Sequence, residues 1–225
     1  MLRYLSQAAM DNEPKATILD RLASQYGIRV LNPGRWARID LQHVLEAVED
    51  LTTLMGGSTR FQSEIRRVRF SRLPWETRYA AAALPAIGVI YLETAAWGSA
   101  SELKWQTVHE LAHVWDMRKL FRLSNGLKRA TRSKYGRFTP QLPIPVEYEP
   151  GGRWLKGRTV PLNALEDWAD SVAACVYQSY ARQRNRMISP IRWKYVGEQM
   201  QVKPPYPGQW IPHFYGPEGL GPAPI

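Results

Sequence analysis

Two of the chain's four histidines stand four residues apart, in Val108-His109-Glu110-Leu111-Ala112-His113-Val114-Trp115-Asp116. This spacing constrains the fold more than any other feature. Residues four apart lie one above the other on a single face of an α-helix, so both imidazoles serve one site only if the segment is helical. The flanking sequence agrees. Ile87-Gly-Val-Ile-Tyr-Leu92 is a continuous apolar run that predicts a strand over 87–92. Ser99-x-x-Glu102 is a capping box that opens the next helix, expected to run to about Leu123 and to end at Asn125-Gly126. The plainer alternative is an ordinary half-buried helix face that happens to carry two histidines.

The rest of the 225-residue chain predicts an α+β fold. A helix over Pro14–Tyr26 is followed by a short strand at 28–31, and a second helix runs from about Asp40 to Met55 before Gly56-Gly57. Alternation over 63–71 predicts a strand, 74–83 reads as irregular, and 127–160 reads as a long loop with four prolines. A last strong helix is expected over Asn163–Arg182. Residues 1–202 are expected to form a single domain, and 203–225, with seven prolines and four glycines, an extended tail. The lone Cys175 excludes an internal disulfide and reads as a buried structural thiol. No apolar run approaches the ~20 residues of a membrane-spanning helix, and the N-terminus lacks the form of a secretory signal. The expectation is a protein made in the cytoplasm or delivered by a non-classical route.

Two imidazoles on one helix face can bind one metal ion, and Glu110 beside them can take a proton from a metal-bound water. A catalytic tetrahedral site wants a third protein ligand. The positions three and six residues after His113 hold Asp116 and Lys119, which excludes a ligand set continuing along the same segment. His43 and His213 read as surface or packing histidines. In the late helix, Glu166, Ala169, Asp170, Ala173 and Tyr177 share one face, and the alanines would let it approach the histidine helix closely. Glu166 is then the candidate ligand, with Asp170 one turn on as acceptor from a ligand imidazole. An ordinary acidic first turn of a helix is the alternative. Asp116, one turn after His113, is a candidate for a supporting role at the metal, with direct ligation as the alternative. Trp105 and Trp97 are candidates to line a cleft.

The pairing of His109-Glu110-x-x-His113 with Glu166-x-x-Ala169-Asp170, 53 residues later, resembles the gluzincin zinc metallopeptidases. It is similar to the lethal-factor-like branch and to metallopeptidase domains of bacterial toxins, which raises a toxin or effector role as an expectation. The resemblance covers roughly residues 15–182. It implies a zincin-like fold in which a small twisted sheet with a peptide-binding edge strand precedes a motif helix packed on a ligand helix. It also implies Zn2+ held by His109, His113 and Glu166, with Glu110 as general base. Tyr148, or Tyr135, would donate a hydrogen bond to the oxyanion. An extended peptide substrate is expected to pair with strand 87–92, at Val89, Ile90 and Tyr91.

The net charge of +10 is concentrated. From Met117 to Val146 there are eight basic residues (Arg118, Lys119, Arg122, Lys128, Arg129, Arg132, Lys134 and Arg137) and no acidic one. This stretch reads either as a solvated helix end and basic loop or as a guide for an anionic partner, a nucleic acid or an acidic surface. The second function class is therefore an inactive or structural zincin-like subunit that binds such a partner through 118–137.

Overall fold

The computed structural model describes residues 13–65, 67–73, 81–84, 88–93, 99–132, 163–183 and 188–201. They form an α+β arrangement of helices around a four-stranded sheet. Helix α1 (Lys15–Tyr26) buries Ile18, Leu22 and Tyr26, one residue per turn, and stops at Gly27, whose φ of +66° suits glycine. Strand β1 (Ile28–Val30) follows. Helix α2 (Arg38–Met55) buries Leu41, Val44, Leu45, Val48, Leu51 and Met55, the stripe that its 3–4 spacing announces.

Helix α3 (Ser58–Glu64) occupies the start of the segment that alternation assigned to a strand. Phe61 and Ile65, four apart and fully buried, turn this stretch helical. Strand β2 begins only at Val68 and runs to Leu73. Strand β3 (Ala81–Leu84) lies where irregular structure was expected. Alanine has little strand preference of its own, and pairing with a neighbour supplies what propensity lacks. That neighbour is β4 (Val89–Glu93).

The sheet order is β1-β2-β4-β3. Strands β1, β2 and β4 are mutually parallel, with Ile28 opposite Val68 and Phe70 opposite Ile90. Strand β3 is antiparallel to β4, with Ala83 opposite Ile90. The expectation that strand 87–92 binds substrate through a free edge is therefore corrected. β4 is hydrogen-bonded on both sides, and Ile90 is fully buried, so Val89, Ile90 and Tyr91 cannot accept an added strand. Among the described residues the edges of the sheet are β1 and the antiparallel β3.

Helix α4 (Ala100–Arg118) carries the histidine pair. It ends before the expected Leu123, because Leu120 and Phe121 take left-handed backbone at φ +54° and +60°. A new helix α5 (Arg122–Thr131) then begins before the expected Asn125-Gly126 stop and runs into the first residues of the expected loop. The late helix is also two. Helix α6 spans Ala164–Val176, and α7 (Gln178–Gln183) follows a break at Tyr177. Helix α8 (Pro190–Gln199) was not anticipated, although Ser189 at its cap and Pro190 at its first position are an ordinary start signal. Among the described residues no helix is long and apolar enough to cross a membrane. The expected tail, 203–225, lies outside the described residues.

One core unites these elements. Helix α4 lies at its centre, packed against α2, α6 and strand β3. Helix α8 is locked to α6 by a fully buried ion pair. Arg192 donates from Nε to Asp167 Oδ1 at 2.8 Å and from a terminal nitrogen to Asp167 Oδ2 at 2.9 Å, with both side chains at 0% exposure. Removing one member of such a pair leaves the other charge buried, at a cost of about 3–5 kcal/mol, whereas an apolar replacement of both is far milder. Asp167→Ala is thus expected to lose about 3–5 kcal/mol of unfolding free energy, and Asp167→Leu with Arg192→Met much less. Urea denaturation checks this, and equal losses in the two variants would reject it.

Candidate metal centre

Helix α4 starts at Ser99, whose Oγ accepts from the Glu102 N–H at 3.2 Å, as the capping box requires. It is buried almost all round. Leu103, Trp105, Val108, Leu111, Ala112, Val114 and Trp115 are all within the core, the mark of a central rather than a surface helix. Trp105 is fully buried and packs on Tyr180, so it lines no open cleft. Trp97 lies outside the described residues.

Helix α6 starts at Asn163. Its Oδ1 accepts from the N–H groups of Leu165 at 2.8 Å and Glu166 at 3.0 Å, which fixes the first turn and hence the root of Glu166. Ala169 and Ala173 are fully buried. The Trp168 indole donates to the Ala112 carbonyl at 3.1 Å, and the rings of Trp168 and Trp115 meet edge to face at 5.4 Å. Together these contacts set the register of α6 against α4.

In this register three donors converge. His109 Nε2 lies 3.1 Å from His113 Nε2 and 3.2 Å from Glu166 Oε2. His113 Nε2 lies 3.5 Å from Glu166 Oε1. Metal–donor bonds of about 2.0–2.1 Å in a tetrahedron imply donor–donor edges of roughly 3.3–3.4 Å. The imidazole–imidazole contact and the contacts of the two imidazoles with separate Glu166 oxygens bracket that value, and two imidazoles with a carboxylate are a donor set suited to zinc. Among the described residues this is the one group of histidine, cysteine and acidic side chains placed to hold a metal ion. His109 is buried, while the side chains of His113 and Glu166 keep some exposure.

Asp170, 1% exposed, accepts from His109 Nδ1 at 3.0 Å. That bond holds the Nδ1 tautomer and aims the Nε2 lone pair at the other donors. Glu110 follows His109 on α4 and is also buried. Asp116 does not support the cluster. Its Oδ1 accepts from the backbone N–H groups of Leu123 and Ser124, each at 3.0 Å, and so caps helix α5. Burial raises its pKa despite these bonds. Asp167 points away from the cluster to Arg192. Tyr148 and Tyr135 lie outside the described residues. His43 is half-buried beside Glu46, and Cys175 is a buried thiol whose pKa burial pushes up. Both agree with expectation.

Asn163 was missed as a positioning residue, although Asn-x-x-Glu ahead of an apolar helix is a readable cap. Nothing local reveals the Trp168 contact. No protein-family model, curated protein or solved structure matches the chain.

The electrostatics favour a cation in the cluster. Burial opposes charge on His109, but hydrogen bonds and charge from Asp170, then Glu166, raise its pKa well above 6.5. Burial and the neighbouring His109 drive His113 down to about 4. Burial of Glu166 is outweighed by the two histidines, which lower its pKa. Without metal, the cluster therefore holds one proton, on His109. That proton stabilises the metal-free fold fully below pH 6.5 and ceases to do so as pH rises through the elevated value. In chelator, imidazole NMR titration is expected to place His113 near 4 and His109 well above 6.5. Asp170→Asn should bring His109 down. Two ordinary titrations in the wild type would contradict this electrostatic assignment.

Proposed function

We propose that the chain is a zinc-dependent metallopeptidase that hydrolyses peptide bonds. The observation that carries this reading is the convergence of His109, His113 and Glu166, with nitrogen–nitrogen and nitrogen–oxygen contacts of 3.1, 3.2 and 3.5 Å, on a helix where the buried Glu110 follows His109. Zinc, when bound, supplies a Lewis acid that polarises the scissile carbonyl and lowers the pKa of a bound water to ~7. The chain's own residues do the rest. Asp170 keeps the His109 imidazole in its ligating tautomer. Glu110 accepts the proton of the attacking water and passes it to the leaving amine. Substrate backbone pairs with the outer edge of β3, the strand packed beside α4, and its side chains fall alternately to either face.

Zinc titrations of single variants separate the roles. His109→Ala, His113→Ala and Glu166→Ala are expected to lose zinc severely, and Asp170→Ala to weaken it about 10–100-fold. Asp116→Ala should leave the zinc Kd unchanged and cost about 1–2 kcal/mol of stability through the lost cap. Should Asp116→Ala prove the most damaging to zinc binding, the ligand set is wrong.

The catalytic part is tested separately. Glu110→Gln should keep zinc and the fold, because the amide is isosteric, yet lower peptide hydrolysis by about 10²–10⁴-fold, the usual contribution of a positioned base. A rate within about tenfold of wild type on a quenched peptide library would remove Glu110 from that role.

A further inference from the structure

The turn that joins α4 to α5 presents an apolar tip ringed by bases. Leu120 is 74% exposed and Phe121 42%, and both occupy left-handed backbone, which large L side chains adopt only at a conformational cost. The turn is closed by backbone bonds, Leu120 N–H to the Met117 carbonyl at 2.8 Å and Phe121 N–H to the Asp116 carbonyl at 2.9 Å. The Asp116 carboxylate and the Asn125 amide also close it, and none of these bonds needs the Leu120 or Phe121 side chain. Glycine or asparagine would hold the same turn without strain. Two large apolar side chains in water are thus not required by the turn itself.

The bases are arranged around this tip. Arg122, Lys128, Arg129 and Arg132 are exposed, and with Asn125 they fall within about 120° of arc at ~100° per residue. The opposite face of α5, with Leu123, Leu127 and Thr131, is buried toward α6 and α8. Exposed Arg118 adds to the ring from the end of α4. Of the acids near this turn, Asp116 caps α5, Glu64 pairs with Lys119, and Glu198 on α8 shares the surroundings of Tyr195 with Arg129.

We propose that this surface docks the protein on an anionic lipid bilayer. Leu120 and Phe121 enter the interfacial layer, and the basic face of α5 meets the acidic headgroups. A nucleic acid would satisfy the charges and its bases would stack on Phe121, but it leaves Leu120, the more exposed of the two, against phosphate and water. A bilayer matches both halves of the surface. The tip stands about 10 Å beyond His113 along the direction of α4, and the inference does not rest on the reading of the metal cluster.

Co-sedimentation of the full chain with phosphatidylcholine vesicles, with and without roughly one-third phosphatidylserine, tests this. Binding is expected to the phosphatidylserine vesicles only, and to weaken at high salt. Arg122→Ala with Arg129→Ala should lower affinity roughly 25-fold, each base near an anionic surface being worth about fivefold. Leu120→Gly with Phe121→Asn relieves the backbone, so the thermal midpoint should hold or rise while vesicle affinity falls at least about tenfold. Leu120→Gly alone, at the more exposed position, reads the same loss without touching Phe121. Undiminished vesicle binding by a folded tip variant would overturn the proposal, as would equal binding to phosphatidylcholine alone. Tighter binding to duplex DNA, unaffected by the tip variant, would reassign the surface to a nucleic acid.

Discussion

The seam between α4 and α6 is the constraint on which the candidate site depends. The Trp168 indole N–H reaches the Ala112 carbonyl, in the middle of the turn that separates the two histidines. Ala169 and Ala173 are buried on α6 close by. An indole fixed to one carbonyl leaves little freedom to slide. A slip of one residue moves a helical side chain about 1.5 Å along the axis and 100° around it, enough to take Glu166 away from both imidazoles and Asp170 away from His109 Nδ1. The cluster is therefore as precise as the packing beneath it.

Three carboxylates within two turns of α6 meet three different fates, and helical direction explains each. Glu166 and Asp170, four apart, face α4 and meet the histidines. Asp167, about 100° further round the helix than Glu166, faces α8 and receives Arg192. One short helix thus supplies a candidate metal ligand, the carboxylate that accepts from His109, and the charge that secures α8. Asp116 illustrates the same rule from α4. It follows His113 by three residues, yet its carboxylate is turned into the start of α5, where two unpaired helix N–H groups need an acceptor.

The sheet sets the other boundary of the site. Parallel pairing of β1, β2 and β4 places β4 inside, and among the described residues the reversed β3 pairs on one side only. Such an edge is a natural template for an added strand. Its packing against α4 places this edge next to the helix that carries the two histidines. At the far end of α4 the chain turns sharply, and the positive charge gathers on α5, away from the cluster.

Much of this was legible in the residues. The i, i+4 histidines, the Ser99 cap, the apolar stripe of α2 and the Glu166–Asp170 pair are local patterns, because a helix's 3.6-residue period converts spacing directly into direction. Local pattern likewise assigned the two ends of the candidate site to two helices. What it did not supply was anything that depends on a neighbour. The strand character of Ala81–Leu84 comes from pairing with β4. The interior position of β4 comes from strand order, and the capping role of Asp116 from a left-handed turn four residues on. Arg192 and Asp167, 25 residues apart, carry no mutual signal in one chain. Spacing along the sequence determined which side chains share a face, and tertiary packing decided which faces meet, because burial and hydrogen-bond satisfaction belong to pairs of elements rather than to either one alone.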